Sequence, residues 1–324
     1  MRKILSIFLV ILPLLSVAQF APPAGQEGST AINADNPAFV AWATGCVVER
    51  GPMRIDKPEN GLASYGEEAD ALGKADDTLL VSLGDGGNAV LTFASPIYDG
   101  PGPDFAVFEN PLKYAQDTTL YFLELAFVEV SSDGEHFVRF PAISLIPEET
   151  QVGTFACVDP RLVHNLAGKY APHYGTPFDL EELPNDPLLD KNRITHVRVV
   201  DVVGTIKPEY ATYDSEGHII NDPWPTPFNS SGFDLDAVGV IHDLAHNGLN
   251  DNASSAMLLY PNPVKDMLTV QAENVSSINV YSLTGQLILE AEGDKVDVSF
   301  LHPGVYFARI SVGGTVIMHK FVKN

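Results

Sequence analysis

Tyr121-Phe122-Leu123-Glu124-Leu125-Ala126-Phe127-Val128-Glu129-Val130, then Ser131-Ser132-Asp133-Gly134, then the run His136 to Phe140, is the stretch that decides the fold. Two β-type runs flank an Asp-Gly turn, and glycine supplies the positive φ that closes a hairpin. Outward from it, Ala89 to Phe93, Asp104 to Phe108, Thr195 to Val203 and Asp234 to Ile241 repeat the same short apolar runs, punctuated by Gly and Pro. The period is two, with no helical alternation. The expectation is an all-β body, a jelly-roll-like β-sandwich.

Two long segments exceed a minimal sandwich. Val158 to Asn192 holds a short helical pattern at Phe178 to Leu183, and Lys207 to Gly232 carries Tyr210, Tyr213, Trp224 and Phe228. Loops of this length are commonly functional or mobile, and aromatic content argues against mobility alone.

The 324 residues carry 19 Lys+Arg against 42 Asp+Glu, a net charge of −23. Such a chain does not bind nucleic acid, which needs clustered cations. It is also the composition in which oxygen-ligand cation sites are common. Most of the charge lies in residues 19–256, with 36 acidic and 12 basic side chains, whereas residues 257–324 have 6 and 5. The shift, together with the Asn- and Ser-rich stretch at residues 247–256, marks a linker between a body (19–246) and a tail (257–324). Residues 1–18 read as a signal peptide: Arg2 and Lys3, an apolar run from Ile4 to Leu15, then Ser16-Val17-Ala18. The run is shorter than a bilayer span, and no later segment is apolar enough, so no transmembrane segment is expected in the mature chain. Cys46 and Cys157 are too few for a disulfide scaffold; one bridge or two buried thiols remain open.

No strong catalytic motif is present. Gly84-Asp85-Gly86-Gly87 lacks the Lys-Ser/Thr of a phosphate loop and reads as a turn. His242 and His246 have zinc-pair spacing without the internal Glu of a metalloprotease. Glu124 and Glu129, five apart on a strand, face opposite sides and form no local acid/base pair. Asp234-Leu235-Asp236 is the better constellation. Residues i and i+2 share a strand face, so both carboxylates would lie side by side, with Leu235 and Ala237 turned away. Either they are structural, capping and hydrogen-bonded, or they hold a cation, for which calcium is the expected cofactor. Asp104 and Glu109 are secondary ligands, of which at most one joins the same ion. Trp224, Tyr213 and Phe228 are the candidate ligand platform, since aromatic faces stack on sugars and flat apolar surfaces. The plainer reading of Trp224 is a plug of the sandwich end, and of Trp42 core.

Several stretches of the body carry a resemblance: Phe39 to Gly45, Asp104 to Asn110, Glu124 to Gly134, Asp222 to Pro227 and Gly232 to Val238. They resemble a family of secreted bacterial cell-surface proteins, over roughly residues 30–243. The resemblance brings no established activity; some relatives are associated with surface capture of nutrients, corrinoids included.

The tail reads as short alternating strands, an immunoglobulin-like sandwich. Leu259-Tyr260-Pro261-Asn262-Pro263, Val280 to Gly285, Leu301-His302-Pro303-Gly304-Val305-Tyr306 and Lys320 to Lys323 are similar to the type A C-terminal sorting domain of the type IX secretion system of Bacteroidota. Tyr260, Pro261, Asn262, Pro263, Gly304 and Tyr306 carry that signal. The resemblance implies type IX machinery as partner, passage through the periplasm and a place at the outer-membrane cell surface, attached or released. The expected function is a non-catalytic, surface-displayed β-sandwich binding an extracellular glycan or small-molecule nutrient. The alternatives are a secreted hydrolase and a structural or adhesion component of the cell surface.

Overall fold

A computed structural model of the chain describes residues 20–110, 112–113, 119–246, 258–272, 274–282, 286–312 and 315–324. The signal segment 1–18, the linker 247–256, and Leu283 to Gly285 of the tail motif lie outside the described residues. The chain divides into two compact units, residues 1–245 and 246–324. Both are built from strands, as the period of two requires. Among the described residues no helix is long and apolar enough to cross a membrane.

The body is a sandwich of two antiparallel sheets. One runs Ile32–Asn33, Tyr174–Phe178, Phe105–Glu109, Asp234–Val240, Ala41–Trp42, with Val81–Ser82 also pairing with Asp234–Val240. The other runs Val138–Arg139, Ala126–Ser131, Ile194–Asp201, Asn88–Ile97, Gly45–Glu49. Between them lies a core to which the first sheet gives Phe105, Val107, Leu235, Val238 and Val240, and the second Leu91, Val128, Val130, Val197 and Val199.

The deciding hairpin forms as read. Val138 lies opposite Val130, and Gly134 takes φ +81° in the turn. Asp133 Oδ1 accepts the Glu135 and His136 amides at 2.8 and 2.9 Å, and these bonds hold its carboxyl down to about 2. Its first arm, however, is not one strand. Tyr121–Phe122 and Ala126–Ser131 are separated at Leu123–Leu125, where the Leu125 amide turns to the Asp222 carboxylate instead of a neighbouring strand. Both faces of Ala126–Ser131 are buried. Ala126, Val128 and Val130 enter the main core, while Leu125 and Phe127 pack outward against Ala142, Ile146, Val163, Leu166, Val202 and Ile220. That second cluster is what the long segments do: they cover the outer face of the sheet. The helical pattern near Phe178 becomes a 3-10 turn, Leu180–Glu182.

Two further readings need revision. Trp42 is half-buried, packed with Phe39 and Phe108 on the outer face of the first sheet and not in the main core. Leu235 and Ala237 do not share a face: Leu235 belongs to the main core and Ala237 to the outer cluster. The cause is a β-bulge, since Leu235 pairs with Glu109 and Ala237 with Phe108, leaving Asp236 as the extra residue. Cys46 and Cys157 are free thiols, and burial pushes Cys46 up to about 12.

The tail is a smaller sandwich. Leu258–Tyr260, Met267–Gln271 and Lys295–Asp297 form one sheet; Leu287–Glu292, Val275–Tyr281, Gly304–Val312 and Thr315–Lys323 form the other. Leu268, Val270, Ile278, Val280, Ala308, Ile310 and Phe321 fill its core.

The hairpin turn supplies a direct test. A Cβ on Gly134 would lie 2.8 Å from the His196 ring at a φ that side chains avoid. Gly134→Ala is expected to cost about 1–2 kcal/mol and lower the body's melting temperature by roughly 2–8 °C in calorimetry. An unchanged transition would show that the turn relaxes freely.

Candidate functional site: a buried carboxylate cleft

Four strand ends meet at one edge of the body, and each brings an acid. Glu109 closes Phe105–Glu109, Asp201 closes Ile194–Asp201, Asp234 opens Asp234–Val240, and Glu124 sits in the break before Ala126–Ser131. The pairings Asp201 with Ala126 and Leu235 with Glu109 place these ends together. Loops add Asp85, from the Gly84–Gly87 turn, and Asp222. Asp85, Glu124, Asp201 and Asp222, with Val202, Gly204, Pro223, Trp224, Thr226 and Gly232, line a narrow cleft with about 10 Å³ of free space, room for about one water.

Glycines let the carboxylates come this close to backbone. A Cβ on Gly204 would lie 1.4 Å from Asp222 Oδ1, and one on Gly232 (φ +70°) would lie 2.7 Å from Asp201 Oδ1. Most of the acids accept backbone amides. Asp201 takes Phe233 N–H on Oδ1 (2.7 Å) and Gly86 N–H on Oδ2 (2.8 Å). Asp222 Oδ2 takes Leu125 N–H (3.0 Å), and Asp85 Oδ2 takes Ile55 N–H (2.8 Å) and Trp224 Nε1–H (3.0 Å). Asp236 accepts the Asp76 and Asp77 amides, and the Ser82 hydroxyl donates to Asp234. Glu124 is the exception. It is 7% exposed and its carboxylate accepts no hydrogen bond among the described residues. Glu109, 3% exposed, has an oxygen, Oε2, with no partner.

Burial raises all of these groups, and neighbouring carboxylates raise several further. Glu109 is held well above the usual carboxylate range by burial and then by Asp234; Glu124 by burial, then Asp234, Glu109, Asp222 and Asp201. Asp201 and Asp222 are likewise well above it through burial first. Asp234 rises to about 7 and Asp236 to about 6, both chiefly by burial. None of the seven acids forms an ion pair among the described residues.

Of the expected pair Asp234 and Asp236 and the two secondary candidates, of which at most one is to join them, the structure gathers Glu109, Asp234 and Asp236 at this edge and leaves Asp104 at the other end of its strand. There Asp104 accepts Gly100 N–H (2.7 Å) and Leu180 N–H (2.8 Å) and pairs with His242 Nδ1 (2.8 Å). It meets Asp99 and Asp179, one oxygen of each lying within 4.8 Å of the others. Both Asp104 oxygens are already satisfied by those donors.

Trp224 is 5% exposed, and the Arg54 guanidinium (5.6 Å) and Lys207 ammonium (4.6 Å) lie over its ring. Tyr213 and Phe228 are exposed, and no ring contact joins the three among the described residues. Phe228 (42% exposed) stacks instead on Phe155 (77% exposed), centroids 5.8 Å apart at 24°. Sequence reasoning missed Phe155, Asp85, Glu124, Asp201 and Asp222 as site residues. For Glu124 the signal was a charge inside the apolar run Tyr121 to Val128.

In the tail, the motif residues tie the fold to its last strand. Asn262 Oδ1 accepts Val322 N–H (2.9 Å), and its amide donates to Lys320 O (3.4 Å). Tyr306 donates its hydroxyl to His302 O (2.9 Å) and stacks on Phe321 at 5.7 Å. Gly304 opens the strand Gly304–Val312, while Tyr260, Pro261 and Pro263 are exposed. Residues 258–324 match the family described as secretion system C-terminal sorting domain. This tail is a type IX secretion signal. It marks the chain for secretion and export to the cell surface.

No curated protein matches the chain. Among solved structures it is similar to a Ruminococcus gnavus β-glucuronidase in complex with uronic isofagomine, at 10% identity over 94% of this chain and 45% of that one, TM-score 0.22. It is also similar to the BSP domain of a biofilm associated protein, at 10% identity over 90% and 53%, TM-score 0.18. The chain spans about half the length of these structures.

Two outcomes follow. Folded Asp234 and Asp236 keep protons up to about pH 7 and 6, whereas unfolded aspartates release theirs near pH 4. The folded state binds more protons in that window, so these groups subtract stability as pH rises from about 4 to 7, by on the order of a few kcal/mol. In chelator, Asp234→Asn should therefore gain melting temperature on the native protein between about pH 5 and pH 8; a constant difference would refute this. Deleting residues 258–324 should leave a folded body that no longer reaches the surface, read by fractionation and surface protease. Normal display of the truncated chain would remove the sorting role.

Proposed function

We propose that the exported body is a non-catalytic binding module that takes an extracellular glycan at the cell surface. The observation that carries this is the exposed stacked pair Phe155–Phe228. Two phenyl rings stacked in solvent, outside every core cluster, leave apolar faces that a sugar ring or another flat ligand would cover. The pair stands beside the cleft: Phe228 N–H donates to Thr226 O, and Thr226 and Trp224 line its wall. With about 10 Å³ of free space the cleft itself has room for about one water, which supports surface stacking over engulfment.

A second reading, a secreted hydrolase, draws support from Glu124. A buried carboxyl held well above its usual range beside other acids is the form a general acid takes.

Isothermal titration of the purified mature chain with a panel of soluble polysaccharides, and with cyanocobalamin as the corrinoid probe, separates these readings. Phe155→Ala and Phe228→Ala should each weaken binding about 5- to 100-fold, by analogy with aromatic stacking platforms, with the melting temperature unmoved. Binding that ignores both substitutions would overturn the platform. Reducing-sugar release that is lost in Glu124→Gln would establish hydrolysis instead.

A further inference from the structure

The carboxylate cluster asks for something the binding surface does not supply. Glu124 is the centre of it: it lines the cleft with Asp201 and Asp222, Asp201 accepts the amide of Phe233 next to Asp234, and Leu235 on the other side of Asp234 pairs with Glu109. It lines the cleft, lies almost wholly out of bulk water, and receives no donor among the described residues. Independently, Glu109 Oε2 is buried without a partner, and Glu109 pairs with Leu235, the neighbour of Asp234. Native proteins seldom leave buried polar oxygens unpaired; an oxygen without a protein donor is met by a bound water or ion, or serves catalysis. Here the two acids with oxygens that lack a donor, Glu124 and Glu109, come from different chain segments of one acid-lined edge.

We infer that this cluster is a divalent-cation site of the calcium class, with Glu124, Glu109 and Asp234 supplying carboxylate oxygens and the cleft beside Asp222 and Trp224 as its entrance. The donor set is all oxygen, without the His or Cys that zinc selects. Calcium takes six to eight oxygens in tolerant geometry, so a water in the cleft and further oxygens of Asp222 or Asp201 would join its shell. Magnesium, which demands a tighter octahedron and gives up water reluctantly, fits less well. The three acids do not lie with their oxygens within 4.8 Å of one another as a set. Like charges stand apart, and an ion draws them together. Asp236 stays outside the shell because Asp76 and Asp77 amides already hold it. Asp104 belongs to the opposite end of the strand.

The position of the site gives it a consequence. Asp222, Trp224 and Thr226 belong to the segment that carries Phe228, so an ion held behind Asp222 braces the loop that presents one ring of the exposed aromatic pair. The inference stands whether or not that pair binds a glycan, because its readout is the ion alone.

The test uses the mature full chain stripped with chelator and titrated with calcium chloride, by calorimetric titration and thermal melting. Calcium at a hundredfold excess over its dissociation constant should raise the body's melting transition by about 5–10 °C. Glu124→Gln and Glu109→Gln should each remove most of that rise, whereas Asp104→Asn should keep it. Magnesium should give a smaller shift. No heat and no shift with calcium in the native protein would overturn the site. So would a calcium response retained in both Gln variants, or one lost in Asp104→Asn alone. If a Gln variant fails to fold, the native titration and the other variant still decide.

Discussion

Buried carboxylates accepting backbone amides hold the acid-lined edge of the body together. Asp85 takes Ile55, Asp201 takes Gly86 and Phe233, Asp222 takes Leu125, and Asp236 takes Asp76 and Asp77. Each joins segments far apart in the chain, satisfying loop donors that would otherwise be buried without acceptors. The cost is desolvation of the acids themselves, visible as carboxyls raised by burial throughout the cluster. Loop order and the shape of the cleft both follow from that exchange.

The same exchange breaks the long first arm of the hairpin. At Leu123–Leu125 the chain leaves strand pairing so that Leu125 N–H reaches Asp222, and this break leaves Glu124 facing the cleft. On the outer side, Leu125 and Phe127 are capped by the long segments, which anchors the loop carrying Asp222 and Trp224. Trp224 is then a wall of the cleft, its indole N–H spent on Asp85 and its ring under two cations. The exposed aromatics are displaced to Phe155 and Phe228.

In the tail, a small all-β unit with its own core has its signature residues working as fasteners. Asn262 holds the start of the domain to the last strand through Val322 and Lys320, and Tyr306 packs on Phe321. The motif is local in sequence and its bonds span the domain. Two residues of the sorting motif, Asn262 and Tyr306, therefore also help close the fold.

The sequence by itself determined the strand period, the Asp133-Gly134 turn and the all-β class, because each is written in neighbours a few residues apart. It also determined the export route, through motifs spaced along residues 258–324. The acidic composition announced that carboxylates would matter, but not which ones. Asp234-Leu235-Asp236-Ala237 read as strict alternation, which the bulge at Asp236 breaks, and a bulge is set by the partner strand at Phe108 and Glu109. Phe155 had no periodic signal, being a lone ring in a turn. Only the tertiary structure decided that Asp85, Glu109, Glu124, Asp201, Asp222 and Asp234 meet, since their convergence depends on strand order and register across about 150 residues of chain. Local propensity has no term for those pairings, and burial, which raises these acids, exists only once the sheets have closed over them.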